Sequence, residues 1–268
     1  MKRPARRSPG RRPPLAISLL AAVAATFFVM PLIGLVWRAP WGDLGAQLAD
    51  PVVRTALRLS FAASLSATAL SIVFGLPLAW VLARGEFKGR SLLRGLTTLP
   101  LVLPPVVGGV ALLLVLGRLG LVGRWLDDLF GLTLFGTPAA VVIAETFVAM
   151  PFLVLTLESG IRSLDARYED AAATLGAGRW MVFRRITLPL LAPSLGAGAV
   201  LAWARALGEF GATITFAGNL PGRTQTVPIA VYIELQHRLD GAIVLSLVLV
   251  VVALIILVGL RDRWLRPL

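Results

Sequence analysis

The feature that most constrains this chain is a series of six long apolar stretches, at approximately 15–37, 60–83, 95–117, 138–160, 190–216 and 241–260. A helix rises about 1.5 Å per residue, so each stretch can cross a hydrocarbon core of roughly 30 Å. Only 15% of the 268 residues are charged, against about 25% in soluble domains. The pattern predicts an all-α, polytopic membrane protein, with a transmembrane domain over residues 15–268 and a basic tail over residues 1–14.

The first stretch, 15–37, follows basic residues, as the apolar region of a signal peptide does. A signal peptide, however, has an apolar region of about 7–15 residues that ends at a small-residue cleavage site. Here the stretch has 23 residues and ends in Trp37-Arg38. We therefore expect a retained first helix.

The second and third stretches have residues, in them or just before them, that do not fit one straight transmembrane helix. Arg54 and Arg58 lie just before the second stretch, which favours either an interfacial segment or an earlier helix start. The third stretch contains Pro100, Pro104 and Pro105. Proline removes a backbone donor and bends or breaks a helix, so we expect a kinked or broken span there.

The distribution of basic residues predicts the orientation, because cytoplasmic loops are rich in Lys and Arg. Six spans place both termini on one side of the membrane, together with the loops 84–94 and 161–185. That side carries 18 of the 26 basic residues, the opposite side carries 7, and Arg205 lies within the fifth stretch. Both termini are therefore expected in the cytoplasm.

Composition excludes several other functions. The net charge of +12 would favour nucleic-acid binding in a soluble protein, but here the basic residues punctuate apolar stretches, so no nucleic-acid partner is expected. Cysteine is absent and His237 is the single histidine, which leaves no thiolate chemistry and no metal site. A nucleotide-binding P-loop requires Gly-Lys-[Ser/Thr], and the two lysines, Lys2 and Lys88, follow Met1 and Phe87. We expect no enzyme active site in this chain.

The loop that precedes the fifth stretch contains a helix-favouring segment, 166–175. Gly176 and Gly178 are expected to end this helix, Asp165 to cap its start, and a second short helix to follow over 179–186. One face would carry Tyr168, Ala172 and Leu175, a pattern typical of a helix that docks in a groove of another protein. A solvated loop with a charged helix is the alternative on these residues alone.

This segment resembles the EAA loop of ABC importer permeases, in which Glu-Ala-Ala is followed by Gly and then by Ile-x-Leu-Pro. The matching positions are Asp170-Ala171-Ala172, Gly176 and Ile186-Thr187-Leu188-Pro189. Asp170 stands where the pattern has Glu, and Glu169 precedes it, so the role of each carboxylate is open.

The resemblance implies the type I permease fold with a coupling loop over 161–189 that docks on cytoplasmic ABC ATPase subunits. The residues expected to make this contact are Tyr168, Glu169, Asp170, Ala171, Ala172 and Gly176. ATP and Mg would be used by the partner ATPase, and no cofactor is expected in this chain.

The fifth stretch carries two charges, Arg205 and Glu209, which lie four residues apart and so on one face of a helix. An ionisable residue at membrane depth indicates a functional site by default. A structural ion pair that fixes helix packing is the alternative. An ion-coupled secondary transporter would need several such acids, but only Glu145 and Glu209 lie at a suitable depth and no repeat relates the two halves.

Residues 208–228 resemble the molybdate permease family, whereas the third-stretch segment 99–109 is shared by molybdate and sulfate permeases. The resemblance implies a homodimeric permease in a bacterial inner membrane, supplied with molybdate or tungstate by an extracytoplasmic oxyanion-binding protein. Sulfate or thiosulfate import is the alternative. Thr213, Thr215 and Asn219, with Arg205 and Glu209, are candidate lining or gating residues, or else polar helix-packing contacts.

Overall fold

The computed structural model describes residues 14–264, and side chains up to residue 259. Within this range the chain is helical and contains no strand, as predicted. The α-helices are α1 Leu15–Trp37, α2 Leu44–Ala49, α3 Pro51–Arg84, α4 Arg90–Thr98, α5 Pro105–Leu116, α6 Gly123–Phe130, α7 Pro138–Ser163, α8 Arg167–Thr174, α9 Arg179–Val182, α10 Leu188–Leu207, α11 Gly211–Phe216, α12 Val227–His237 and α13 Leu239–Trp264. Residues 1–13 of the predicted basic tail lie outside the described range.

Five segments of the described chain are long and apolar enough to cross a membrane, and a bent helix pair makes a sixth if it is counted as one span. The first, fourth and sixth predicted spans coincide with α1, α7 and α13. The helix containing the second, α3, begins at Pro51 instead of residue 60, because Asp50 accepts a hydrogen bond from the Val52 amide at 2.8 Å and caps it there. With 34 residues, α3 is roughly 50 Å long and exceeds the hydrocarbon core.

The third predicted span is broken, as its prolines indicated. It consists of the helical segment Arg90–Leu101, which ends in one 3-10 turn, and α5, and the two are bent by 116°. Pro104 lies at the break and Pro105 is the first residue of α5. At this position the missing proline donor costs nothing, because the first amides of a helix have no partner within it.

The fifth predicted span, 190–216, does not form one helix. The helical segment begins at Arg179, passes through a π-helical turn at Phe183–Thr187 and ends at Leu207. The separate short helix predicted over 179–186 is therefore continuous with α10. Residues 208–210 interrupt the helix, and α11 starts anew at Gly211.

The core is built where α3, α7 and α10 pack together through small residues. A Cβ added to Gly75 of α3 or to Gly198 of α10 would lie 3.1 Å from Leu153 of α7, and one on Gly160 would lie 2.5 Å from the Ser194 hydroxyl. Membrane helices associate through such small residues because their backbones can approach closely. By contrast, α1 has no buried side chain and presents its apolar surface to the surroundings.

Two serines of α3 join it to other helices. The Ser64 hydroxyl accepts a hydrogen bond from the Trp203 indole N–H of α10 at 3.0 Å. The Ser60 hydroxyl accepts one from the Val227 amide at 2.7 Å and thereby satisfies the first turn of α12. These bonds join α10 and α12 to α3.

Candidate coupling loop and intramembrane polar site

The helix of the predicted coupling loop, α8, starts beside Asp165. An Asp165 carboxylate oxygen accepts a hydrogen bond from the Arg167 amide at 3.0 Å, one residue before the helix's own N-cap position, Ala166. The Arg167 guanidinium and its backbone N–H hold the pKa of the Asp165 carboxyl below its usual value. Asp165 therefore fulfils the predicted capping role from one residue further out.

Gly176 ends α8 as predicted. Its φ of +84° lies in the left-handed region, which residues with a Cβ avoid. The Gly176 amide donates to the Ala173 carbonyl at 3.0 Å and the Ala177 amide to the Ala172 carbonyl at 3.0 Å. This pair of bonds is a Schellman motif and satisfies the last carbonyls of the helix.

The outer face of α8 carries large apolar side chains that are exposed. Tyr168 is 61% exposed and Leu175 is 89% exposed, while Ala172 is half-buried and Ala171 is exposed. Large apolar side chains so exposed at a loop indicate an interaction surface. The predicted docking face is thus available to a partner.

The two adjacent carboxylates of α8 differ in their surroundings. One oxygen of Glu169 accepts a hydrogen bond from the Thr187 hydroxyl at 2.7 Å, and the other lies 3.4 Å from the Arg84 guanidinium at the end of α3. Asp170 is exposed. Sequence reasoning found both acids but neither partner of Glu169, because Arg84 and Thr187 are remote from it in the chain.

A second ion cluster, which sequence reasoning missed, joins α4 to α7. A Glu158 oxygen accepts hydrogen bonds from Arg94 of α4 and from Arg162, each at 2.6 Å. Arg94 also donates to the Leu82 carbonyl at 3.1 Å, and Arg90 to the same carbonyl at 2.9 Å. An acid within an apolar helix, four residues before an arginine, was the available signal for this cluster.

The predicted pair of Arg205 and Glu209 forms an ion pair in which Arg205 Nη2 lies 2.5 Å from Glu209 Oε2. Glu209 is 1% exposed, and its other oxygen accepts a hydrogen bond from the Ala212 amide at 2.8 Å. Glu209 therefore satisfies an amide in the first turn of α11, immediately after α10 has ended at Leu207. Glu145 of α7 is equally buried.

The remaining gate candidates lie in and after α11. Thr213 is fully buried, and its hydroxyl has no hydrogen-bond partner among the described residues; the same holds for the buried side-chain oxygen of Asn219. The Thr215 hydroxyl donates to the Gly211 carbonyl within its own helix at 2.7 Å. Buried polar atoms are normally paired, so Thr213 and Asn219 have capacity to bind a polar group.

Close contact between α5 and α11 surrounds this polar segment. A Cβ added to Gly109 of α5 would lie 2.7 Å from Thr215 Cβ and 2.8 Å from the Ala212 carbonyl oxygen. Gly211 is similarly close to Pro105. The second half of the broken span therefore rests directly on the helix that carries the gate candidates.

The candidate residues thus form two groups. The α8 group lies near Thr187, next to the start of α10, and the Arg205–Glu209 group lies at the end of α10. With 20 residues, α10 separates them by roughly 30 Å, about the thickness of the hydrocarbon core.

Comparison with known proteins finds a transport family and relatives that are named as permeases. The model of the binding-protein-dependent transport system inner membrane component family matches residues 71–268. The molybdenum transport system permease protein ModB of Mycobacterium tuberculosis is 48% identical over 245 residues, covering 91% of this chain and 92% of the relative. ModB of Escherichia coli is 43% identical over 218 residues, covering 81% of this chain and 95% of the relative. The sulfate transport system permease protein CysT of the same species is 35% identical over 223 residues, covering 83% of this chain and 79% of the relative.

Solved structures support the same fold. A chain of a bacterial ABC transporter involved in the import of alginate superimposes with a TM-score of 0.71 at 20% identity, covering 93% of this chain and 94% of that one. A chain of the MetNI methionine ABC transporter gives a TM-score of 0.59 at 18% identity, covering 79% and 94%. The permease fold expected from residues 164–189 is confirmed. With a family model that spans most of its length, this chain belongs to the binding-protein-dependent transport system inner membrane components.

Proposed function

We propose that this chain is the permease subunit of an ATP-driven importer of molybdate and tungstate, and that it works by alternating access. The observation that carries the proposal is α8, an exposed helix with outward-facing Tyr168 and Leu175 that is attached to α3 and to the start of α10. Such a helix can transmit the movement of a partner to the membrane helices.

The proposed mechanism is a lever. The docking face of α8 binds in a cleft of a cytoplasmic ABC ATPase, which binds ATP and Mg; this chain binds no cofactor. When ATP closes the two ATPase subunits, α8 moves with them, and the attached helices follow as rigid bodies. ATP thereby shifts the population between an inward-open and an outward-open state.

The substrate assignment is supported by the relatives. Identity is higher with permeases named for molybdenum transport, at 48% and 43%, than with the one named for sulfate transport, at 35%. A permease has to replace the hydration of a tetrahedral dianion without trapping it. Thr213, Thr215 and Asn219 are proposed to line or gate the path, with Arg205 neutralising Glu209 so that no free carboxylate repels the anion.

The proposal includes the remaining partners and the orientation. An extracytoplasmic oxyanion-binding protein delivers the substrate, and both termini lie in the cytoplasm, as the excess of basic residues on that side indicates. A second copy of the chain completes the pathway. The apolar surface of α1, which has no buried side chain, is available for lipid and for this second copy.

Uptake of labelled molybdate tests the proposal. Cells without their own molybdate and sulfate importers would be supplied with this permease, its ATPase and its binding protein. We expect molybdate uptake that competes with unlabelled tungstate but not with sulfate, and that is lost with a catalytically dead ATPase. Uptake that persists with the dead ATPase and follows the proton gradient would contradict the proposal in favour of a secondary transporter.

Sulfate import is the second candidate, favoured by the 35% identity with CysT over 83% of the chain. The same cells distinguish it. Uptake of labelled sulfate that molybdate does not reduce would keep the ATP-driven mechanism and replace the substrate.

A further inference from the structure

We propose that the neighbouring carboxylates of α8 have separate tasks. Glu169 is a positioning residue that fastens α8 to the transmembrane helices, and Asp170 is the carboxylate that remains for the ATPase. This inference rests on the proposed function and deepens it, because it names the attachment through which the movement of α8 reaches the membrane.

The contacts of Glu169 point toward the membrane helices. Its Oε1 accepts a hydrogen bond from the Thr187 hydroxyl at 2.7 Å, and its Oε2 lies 3.4 Å from Arg84 Nη2. The Glu169 side chain is 22% exposed, and Thr187 is 1% exposed. A hydrogen bond from a buried hydroxyl to a carboxylate is charge-assisted and stronger than a neutral one. The Thr187 contact is therefore the main point of attachment, with Arg84 as a weaker second one.

The carboxylate of Asp170 has a different environment. It is exposed, and among the side chains described, up to residue 259, none forms an ion pair or a hydrogen bond with this carboxylate. Asp170 lines the same open groove as Glu169, but only Glu169 reaches Thr187 and Arg84. Asp170 is thus the acid that an arginine or lysine of a partner can reach.

Few other contacts hold α8 in place. None of its residues is buried, and a groove of about 860 Å³ lies between α3 and the α8–α9 segment. The groove is flanked by an aromatic contact between Trp80 of α3 and Phe183, whose ring centroids are 5.4 Å apart. Because packing is sparse, the polar contacts of Glu169 contribute a large share of the attachment.

The attachment continues into the other membrane helices. Arg84 is the last residue of α3, and the carbonyls of Leu82 and Ala83 just before it accept hydrogen bonds from Arg90 of α4 at 2.9 and 3.1 Å. Arg94 links the same turn to Glu158 of α7. Cations at a helix C-terminus are favourable. Movement of α8 therefore reaches α3 directly and α4 and α7 through one shared turn.

A matched pair of variants, Glu169→Ala and Asp170→Ala, tests this division in the full complex. For Glu169→Ala we expect ATPase binding close to wild type, but about tenfold less substrate transported per ATP hydrolysed, in line with the loss of one charge-assisted hydrogen bond. For Asp170→Ala we expect about tenfold weaker ATPase binding, the loss of one partner of an interfacial ion pair. Equal loss of ATPase binding in both variants would overturn the proposal.

Thr187→Val removes the donor at the other end of the contact while it keeps the side-chain shape. This variant should uncouple transport from ATP hydrolysis as Glu169→Ala does. The double variant Glu169→Ala/Thr187→Val should transport no less substrate per ATP than either single variant, because the effects of residues that share one interaction are not additive. Glu169→Gln, which retains an acceptor for Thr187, should restore part of the coupling. Full coupling in Thr187→Val would contradict the assignment.

Hydrogen exchange of the permease without its ATPase tests the geometry separately. Amides of residues 167–177 should exchange faster in Glu169→Ala than in wild type, and at the wild-type rate in Asp170→Ala, because only the first loosens α8. Unchanged exchange in Glu169→Ala would overturn the inference. If the wild-type chain binds no ATPase, the proposed function fails. The exchange rates still test whether Glu169 fastens α8 to the membrane helices.

Discussion

Arg205 and Glu209 form an ion pair of 2.5 Å across the end of α10, and Glu209 also caps the start of α11. Arg205 thus pairs with the buried charge of Glu209, and Glu209 links the end of α10 to the first turn of α11. The carboxylate is not free to repel an anion, because its charge is already compensated. An acidic residue in this segment is therefore compatible with the proposed transport of a dianion.

Removal of Arg205 should destabilise the permease. Arg205→Ala leaves the buried Glu209 without its cation. We expect the free energy of unfolding to fall by about 3 kcal/mol. This is the low end for a broken buried pair, because the Arg205 side chain is 26% exposed. Denaturant unfolding in detergent measures it. The control is Arg238→Ala. The Arg238 side chain is 55% exposed, pairs with Glu234 at the same spacing and lies 3.9 Å from Asp50, and its removal should change stability less. Equal effects in both variants would contradict a structural role for the Arg205–Glu209 pair.

Gly109→Ala should separate α5 from α11. The new Cβ would lie 2.7 Å from Thr215 Cβ and 2.8 Å from a backbone oxygen, so a helix has to shift, at a cost of about 1–3 kcal/mol. Gly95→Ala on α4 is the control, since nothing lies within 4 Å of its Cβ position, and a helical Gly→Ala change stabilises by roughly 0.5–1 kcal/mol. Thermal unfolding compares the two, and a Gly109→Ala variant as stable as Gly95→Ala would refute the close contact.

Gly176→Val should uncouple ATP hydrolysis from transport while membrane insertion stays intact. Valine at a φ of +84° costs roughly 1–2 kcal/mol and reshapes the end of α8. Gly178→Val offers a matched control, because Gly178 is also in open space but has an extended φ of −67°. The ratio of substrate moved to ATP hydrolysed should fall only in Gly176→Val. Normal transport in that variant counts against the lever.

The orientation can be tested with single cysteines, because the natural sequence has none. Thr174→Cys on α8 and Leu132→Cys in the segment between α6 and α7 both replace exposed residues. In sealed right-side-out vesicles, a membrane-impermeant thiol reagent should label Leu132→Cys directly and Thr174→Cys only after permeabilisation. The reverse pattern would invert the topology.

Local sequence signals predicted part of this structure well. Asp165 caps the start of α8 and Gly176 ends it, because capping and left-handed positions depend on the residues themselves. The proline-rich third span is broken where Pro104 lies. These features required no knowledge of distant contacts.

Other features depend on contacts between remote residues. Hydropathy predicted one span up to residue 216, whereas α10 ends at Leu207. A hydropathy pattern carries no information about the hydrogen bond from the Ala212 amide to Glu209. In the same way, no sequence pattern near Glu169 predicts its contacts with Arg84 and Thr187. The sequence therefore left the roles of Glu169 and Asp170 open, and the structure shows that their surroundings differ.

The most direct test of the proposed function is ATP hydrolysis by this permease reconstituted in lipid vesicles with its ATPase and its binding protein. The proposal predicts that molybdate and tungstate stimulate hydrolysis and that sulfate does not. Stimulation by sulfate alone would contradict the substrate assignment, and failure to assemble with any ATPase would contradict the importer itself.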